Sequence, residues 1–495
     1  MSPLLLLLLL LSLLSLVLVL LQGRKRREGE PPLIKGWIPF IGKALEFGKD
    51  AHKFLEEHKR KFGDVFTVQI AGKYMTFIMN PLLYPHVIKH GHQLDFHEFS
   101  NNAVPFIFGC PPTSKFPGLQ EEVKRSFLLL QGDSLTPLSE SMMGNLMLIF
   151  REDYLNKENS WKSASMYEFC NSIMFEATFL TLYGKPASAS RHSGIGMLKN
   201  DFVKFDNMFP LLIAQIPIWL LGQTKTIRKR LINYFLSHQM SCWSNASEFI
   251  RTHSKIFEQY DMLTDVDKAA YHFTILWASV GNTVPATFWA MYYLVSHPEA
   301  LQFIRQELED VLRLSGVEFS RDKDIKLTLE HLKKLLYMES AIEESLRLSS
   351  SSMNIRVVHE DFSLCVDAEC PMAIRKGDII ALYPPTMHLD PEIYEDPEMF
   401  QFNRYVQDGQ KKAHFYKDGQ KLKNYLMPFG SGATKCPGRF FAINEVKQFL
   451  CVLLLYLDLQ LEEGQSRATL DSSRVGLGVL LPAKDIRFRY RLRSI

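Results

Sequence analysis

A chain of 495 residues has room for two or three average domains or for one large-cored enzyme. A formal charge of only +3 with 46% hydrophobic residues argues against a nucleic-acid binder and against a disordered segment. The cysteines, Cys110, Cys170, Cys242, Cys365, Cys370, Cys436 and Cys451, include no CxxC pair, which argues against a disulfide framework and for a reducing compartment. Six of them read as buried small hydrophobes. Cys436 stands apart because of its neighbours.

Residues 4–21 are an uncharged, mostly leucine run, enough helix to cross a hydrocarbon core of ~30 Å. Arg24, Lys25, Arg26 and Arg27 follow, which predicts a luminal N-terminus and a cytosolic body. A cleaved signal is disfavoured, because no positive charge precedes the run and no small-x-small site follows it. The expected organisation is a transmembrane anchor at 1–23, a basic and Pro/Gly-rich hinge at 24–45 and one catalytic domain at 46–495. In the hinge, Pro31, Pro32, Gly36, Pro39 and Gly42 forbid helix.

Short β-rich runs around Ala71-Gly72-Lys73 predict a hairpin at 66–79. A segment at 201–222 is strongly apolar and interrupted by Pro210 and Pro217, as either a core segment or a membrane-contacting roof would be. Helical patterns cover 271–296, 298–315 and 329–348. A second β region is expected over 357–382, turning at Arg375-Lys376-Gly377-Asp378. The fold class is therefore mainly α with small β-sheets.

Three features of the last third carry chemistry. In EESLRL, Glu344 and Arg347 share one helix face and can pair. Arg404 lies next to the end of PEMFQFNRY, an irregular aromatic stretch, where a planar guanidinium can complete a Glu-Arg-Arg network. In FGSGATKCPG, Phe429, Gly432, Cys436 and Gly438 stand as F-x-x-G-x-x-x-C-x-G. Glycines there permit positive φ and close approach to a flat ligand, and the helix that follows puts the sulfur at a helix N-terminus. That position favours a thiolate, which suits an anionic sulfur ligand to a metal.

Taken together, these motifs resemble the cytochrome P450 family along the length of the chain. The resemblance implies a P450 fold behind an N-terminal transmembrane anchor, and haem b held by the axial thiolate of Cys436, with Phe429, Gly432, Lys435 and Gly438 around it. It also implies a structural triad of Glu344, Arg347 and Arg404. The partners it implies are NADPH-cytochrome P450 reductase, a sterol or oxysterol substrate and membrane lipid, with no nucleic acid. The location implied is the endoplasmic reticulum membrane, with a single-pass anchor and a cytosolic catalytic domain.

The blocks GEPPLIKGWIPFIG, LWASVGNTVPATFWAMYYLVSHPEA, LDPEIYEDPEMF and YLMPFGSGATKCPGRFFA are similar to the sterol 7α-hydroxylases, the first two most of all to the oxysterol branch. That implies 7α-hydroxylation of 25- or 27-hydroxycholesterol in bile acid and cholesterol metabolism. Cholesterol 7α-hydroxylase, sterol 12α-hydroxylase and the reductase-independent endoperoxide isomerase of the prostacyclin synthase type are the alternatives. Sterol contacts are expected at Ala278, Asn282, Met353, Asn354 and Ile355.

The chain departs from the general P450 pattern at three places. The central-helix acid and alcohol are replaced by Gly281 and Asn282, which leaves Asn282 and Thr283 as candidates for handling protons at the distal side. The alternative is a kink at Pro285, with Asn282 satisfying a freed backbone carbonyl. The residue two before the cysteine, ordinarily an arginine for a haem propionate, is Thr434, with Lys435 the nearest cation. No W-x-x-x-R element occurs in 121–130. Lys411, Lys412, Lys421, Lys423, Lys435, Arg439 and Lys447 offer a basic face for an acidic flavoprotein.

Overall fold

In VFTVQI and KYMTFI, β-branched and aromatic residues outnumber helix formers, and both runs become strands. The computed structural model describes residues 3–21, 24–91, 93–155, 159–186, 191–320, 323–365 and 371–494; Cys370 lies outside them. The chain divides into two units. The first comprises Met1–Phe99, Ser352–Tyr394 and Phe415–Thr434, and the second comprises Ser100–Ser351, Glu395–His414 and Lys435–Ile495.

The first unit is organised by a sheet of β1 (Leu33–Ile34), β2 (Val65–Ile70), β3 (Lys73–Ile78), β4 (Leu94–Asp95), β5 (Asn354–Val358) and β6 (Ile379–Leu382). Their order is β1-β2-β3-β6-β5-β4. The β2–β3 hairpin sets Val65 opposite Ile78 and turns at Ala71 and Gly72, both at positive φ, which matches the twist of the strands. β6 lies parallel to β3 and antiparallel to β5, so early and late parts of the chain share one sheet. The expected β region at 357–382 resolves into β5, a separate hairpin of Phe362–Cys365 with Pro371–Ile374, and β6.

The basic residues after the leucine run are not loose. Arg24 pairs with Asp378 and lies 4.7 Å from the centre of the Tyr74 ring, while Arg375 Nη2 donates to Glu30 Oε2 at 2.8 Å. Burial would raise the Glu30 carboxyl, but the Arg375 hydrogen bond, the Arg27 N–H and the Arg24 charge together hold it below the ordinary carboxylate value. The Ala373 N–H donates to Gly29 O at 2.8 Å, closing the same clasp on the backbone. The leucine run itself is helix α1 (Pro3–Leu21), with side chains described as far as Val17. Among the described residues, no helix is long and apolar enough to cross a membrane.

The second unit is helical, with α2 (Leu135–Phe150), α3 (Met166–Tyr183), α4 (Asp265–Val280), α5 (Thr283–Ser296), α6 (Leu336–Ser349) and α7 (Arg439–Tyr456) at its core. From Glu445 to Tyr456, α7 is buried all round, as a helix through the middle of a large protein must be. A three-stranded sheet of Leu457–Leu461, Arg487–Leu492 and Lys162–Ser165 follows α7.

Two expected helices are broken. The pattern at 271–296 divides into α4 and α5: Pro285 has no N–H for the Gly281 carbonyl, and the backbone at Asn282, the N-cap of α5, widens to φ −109. The pattern at 329–348 divides into Leu329–Lys334 and α6, because the Glu307 carboxylate takes the N–H groups of Tyr337 and Met338 at 2.7 and 2.9 Å and caps a new helix start. The cysteine expectation also needs correction, since Cys242 and Cys365 are exposed while Cys110, Cys170 and Cys451 are buried.

Candidate functional site

The ExxR spacing does more than pair two charges. Glu344 on α6 accepts from Arg347 Nε at 2.7 Å and Nη2 at 2.8 Å, and Arg404 Nε reaches Glu344 Oε1 at 2.8 Å. The Gln401 N–H adds a fourth donor at 3.2 Å. The outer guanidinium nitrogens hold the irregular stretch by its carbonyls: Arg347 Nη1 donates to Pro397 O at 2.7 Å, and Arg404 donates to Glu395, Asp396 and Met399 at 2.6, 3.3 and 3.0 Å. All three side chains are buried, so the carboxylate exists only because two guanidinium groups and a backbone donor replace its water.

Cys436 is partly exposed and precedes α7 by two residues. Burial raises its thiol, and the N–H groups of Gly438 and Arg439 act in the opposite sense, as donors at a helix N-terminus do. Arg439 Nη1 donates to the Cys436 carbonyl at 3.0 Å and stacks over Phe440 at 4.1 Å, which fixes the loop's last turn. Burial is the larger effect and leaves the thiol above its ordinary value, but the two backbone donors and the adjacent guanidinium would support a thiolate bound to a metal, which this donor set fits.

Gly432 has φ +59, and a side chain there would put its Cβ 2.8 Å from Ile88 Cγ2, so glycine is required. Gly438 is different: its φ of −85 is open to any residue, so the positive-φ expectation does not apply to it. Phe429 is half-buried and Lys435 is exposed.

Thr434 receives a cation from another strand. Arg356 on β5 donates to Thr434 Oγ1, and its Nη2 reaches Ser431 O at 3.1 Å. Burial lowers the pKa of this guanidinium, and the Asp95 charge acts against the effect. The cation at the threonine is therefore Arg356, not Lys435. It was missed because nothing local in NIRVV marks a contact with a loop 78 residues away.

At the helix break, Thr283 Oγ1 donates to Ser279 O at 2.8 Å, so this hydroxyl proton is committed to the backbone. Asn282 does not satisfy a freed carbonyl; its Oδ1 accepts from the Val479 N–H at 2.9 Å, and its Nδ2 donates to no described residue. Ala278 is exposed on α4. Asn354 is buried at the start of β5, where its Oδ1 accepts from Ser431 Oγ at 3.4 Å and its Nδ2 has no partner among the described residues; Met353 and Ile355 flank it, half-buried.

The basic face loses two members. Lys447 is buried and donates to Glu339 at 2.6 Å and Leu332 O at 2.8 Å, and Lys411 is held by Glu339 and Glu343 at 2.7 and 2.6 Å. Burial pushes the Glu339 carboxyl up, but the two lysines outweigh it and bring it down to about 2.

The chain matches the cytochrome P450 family model over residues 31–489. It is 42% identical over 477 residues to cytochrome P450 7B1 of Mus musculus, covering 96% of this chain and 94% of that one. It is 41% identical over 486 residues to the cholesterol 7-alpha-monooxygenase of Cricetulus griseus, covering 96% of each. It is 40% identical to the 25-hydroxycholesterol 7-alpha-hydroxylase of Rattus norvegicus over 413 residues, 83% of this chain and 99% of the relative. With the cysteine at the N-terminus of α7, the buried Glu-Arg-Arg network and this match over most of its length, the chain belongs to the cytochrome P450 family.

Proposed function

We propose that the protein is a haem-thiolate mono-oxygenase that hydroxylates a sterol, with an oxysterol attacked at the 7α position. The observation that carries this reading is similarity over almost the whole chain to relatives whose names specify 7-alpha hydroxylation. Bound haem supplies the redox chemistry that places one oxygen atom of O₂ in a C–H bond, and a cysteine thiolate ligand favours it. Cys436 would hold the iron.

The chain's own residues do the rest. Asn282 has Nδ2 free to donate toward a reacting oxygen, while Gly281 supplies no acid and the Thr283 proton is engaged elsewhere. Asn354 offers its unpartnered Nδ2 to a sterol oxygen, because a few placed polar atoms orient a ligand in an apolar cavity. Trp219 and Leu220, 71% and 57% exposed in the Pro-interrupted segment, give the roof an outward apolar surface suited to lipid. Electrons come from NADPH through a separate reductase that docks on the remaining exposed cations, Lys421, Lys423 and Lys435 among them. Residues 1–23 are read as the anchor of an endoplasmic reticulum enzyme, with 46–495 as one catalytic domain in the cytosol.

The test is turnover of a sterol panel with reductase and NADPH, products identified by mass spectrometry, beside an anaerobic, NADPH-free incubation with a prostaglandin endoperoxide. A 7α-hydroxylated oxysterol formed only with full electron supply is expected. Endoperoxide conversion without any sterol product would replace the hydroxylase by the isomerase.

A further inference from the structure

Asn282 is the N-cap of α5, at the break in the central helix, and its side chain makes no hydrogen bond to that helix. What holds it comes from 197 residues further along the chain, where the Val479 N–H donates to Oδ1 at 2.9 Å. A backbone donor has only one sense. It turns the amide oxygen toward Val479 and leaves Nδ2 as the end that can donate elsewhere. The residue before it is Gly478 at φ +118, and a Cβ there would collide with Asn282 Oδ1 and sit 3.2 Å from Nδ2. Only glycine lets the loop come this close.

The loop is fixed on both sides of that contact. The Gly476 N–H donates to Ser351 O at 2.7 Å, the Ser351 N–H to Gly478 O at 2.8 Å and the Leu480 N–H to Ser349 O at 2.9 Å. Trp289 Nε1 on α5 donates to Leu480 O at 2.6 Å. At the other end, Arg474 donates to the Asp206 carbonyl and carboxylate, both at 2.9 Å, and Trp277 Nε1 on α4 binds the same carboxylate at 2.8 Å. Helices on either side of the break, the end of α6 and the helix Arg191–Asp206 are thus tied to one short loop.

We propose that the Gly478–Val479 backbone is the positioning element for Asn282: the direct approach of this loop, not the rotamer preference of the asparagine, decides which end of the amide serves the reaction. The proposal rests on reading Asn282 as a functional donor, and the experiment separates the two ideas.

The experiment is a double-mutant cycle of Gly478→Ala and Asn282→Ala in the haem-loaded protein, with two readouts: amide hydrogen exchange at Val479 in the resting enzyme, and the fraction of NADPH electrons recovered in sterol product with reductase present. Asn282→Ala should speed Val479 exchange by about tenfold, the loss of one hydrogen bond. Gly478→Ala should lower the product fraction about as far as Asn282→Ala does, and the double variant should fall less than about twofold below Asn282→Ala alone. That follows because alanine at 282 removes the collision, while the backbone penalty at 478 is common to both backgrounds. Should Gly478→Ala not retain haem, the double variant should regain it, and failure to do so overturns the proposal. Additive losses, unchanged Val479 exchange, or a Gly478→Ala loss with Asn282→Ala fully coupled also overturn it. Full coupling in both single variants ends both ideas. Full coupling in Gly478→Ala, with Asn282→Ala uncoupled, ends only this one.

Discussion

Replacing Arg404 with lysine asks whether the buried network depends on charge or on shape. The substitution keeps one positive charge beside Glu344, so a purely Coulombic account expects little change. The geometry expects much more. Among the bonds of Arg404 to described residues are one to Glu344 and three to the carbonyls of Glu395, Asp396 and Met399. A lysine ammonium that keeps the carboxylate cannot span those carbonyls, so three bonds from a charged donor are lost. At ~1–1.5 kcal/mol net for each, the loss is roughly 3–5 kcal/mol. Unfolding entropy of ~2.1 cal/mol/K per residue gives about 1 kcal/mol per degree for a chain of 495 residues, so the melting temperature should fall by about 3–5 °C. The assay is thermal unfolding of purified haem-loaded protein, followed by circular dichroism and Soret absorbance together. An Arg404→Lys protein melting within about 1 °C of the parent, with full haem content, would refute the fork-geometry argument.

Cys436→Ser should abolish the reduced carbonyl band at the thiolate-type position; a variant that kept the band would exclude this cysteine as ligand. Arg356→Ala should speed haem transfer to apomyoglobin, with Arg356→Lys recovering part of the retention; an unchanged transfer rate would remove Arg356 from the cofactor's surroundings. Glu445 on α7 is fully buried with a hydrogen bond from Thr178 Oγ1 at 2.8 Å, and burial pushes its carboxyl up to about 8. The folded state therefore holds a proton that the unfolded state releases, and stability should decline as pH rises from about 4.5 to about 8. Glu445→Gln should flatten that decline and melt higher than the parent at pH 8; an equal slope in both proteins would contradict the burial argument. Asn245, in the sequon with Ala246 and Ser247, is exposed at φ +63, so only topology protects it; endoglycosidase should leave the mobility of microsomal protein unchanged, and a shift that disappears with Asn245→Gln would reverse the orientation of α1.

What the sequence discloses here is what repeats over a short range. Glu344 and Arg347, three apart on one helix, were readable because a helical face is a local fact, and the glycines and proline around Cys436 mark a turn into a helix in ten letters. The hairpin at 66–79 was readable for the same reason. The two helix breaks were less so: Pro285 is visible, but not that the helix would restart at Asn282, and the second break depends on a carboxylate from another helix, Glu307. Arg356 at Thr434 and Val479 at Asn282 were not readable at all. Each joins positions 78 and 197 residues apart through one hydrogen bond, and no period in the letters encodes it. Lys447 shows the opposite failure, since a lysine in a basic run reads as surface until the helix carrying it is seen to be buried on every side.

The clasp of Arg24, Glu30, Arg375 and Asp378 bears on how substrate supply is measured. Only three peptide steps separate Leu21, the last residue of α1, from the clamped Arg24, a reach of at most ~11 Å. If α1 lies in a bilayer, as proposed, that short tether keeps the end of the sheet beside Asp378 at the depth of the lipid headgroups. A sterol dissolved in the same leaflet then meets the protein without passing through bulk water. The governing concentration is its mole fraction in lipid, so an apparent KM quoted per litre of solution should scale with the amount of lipid or detergent in the tube.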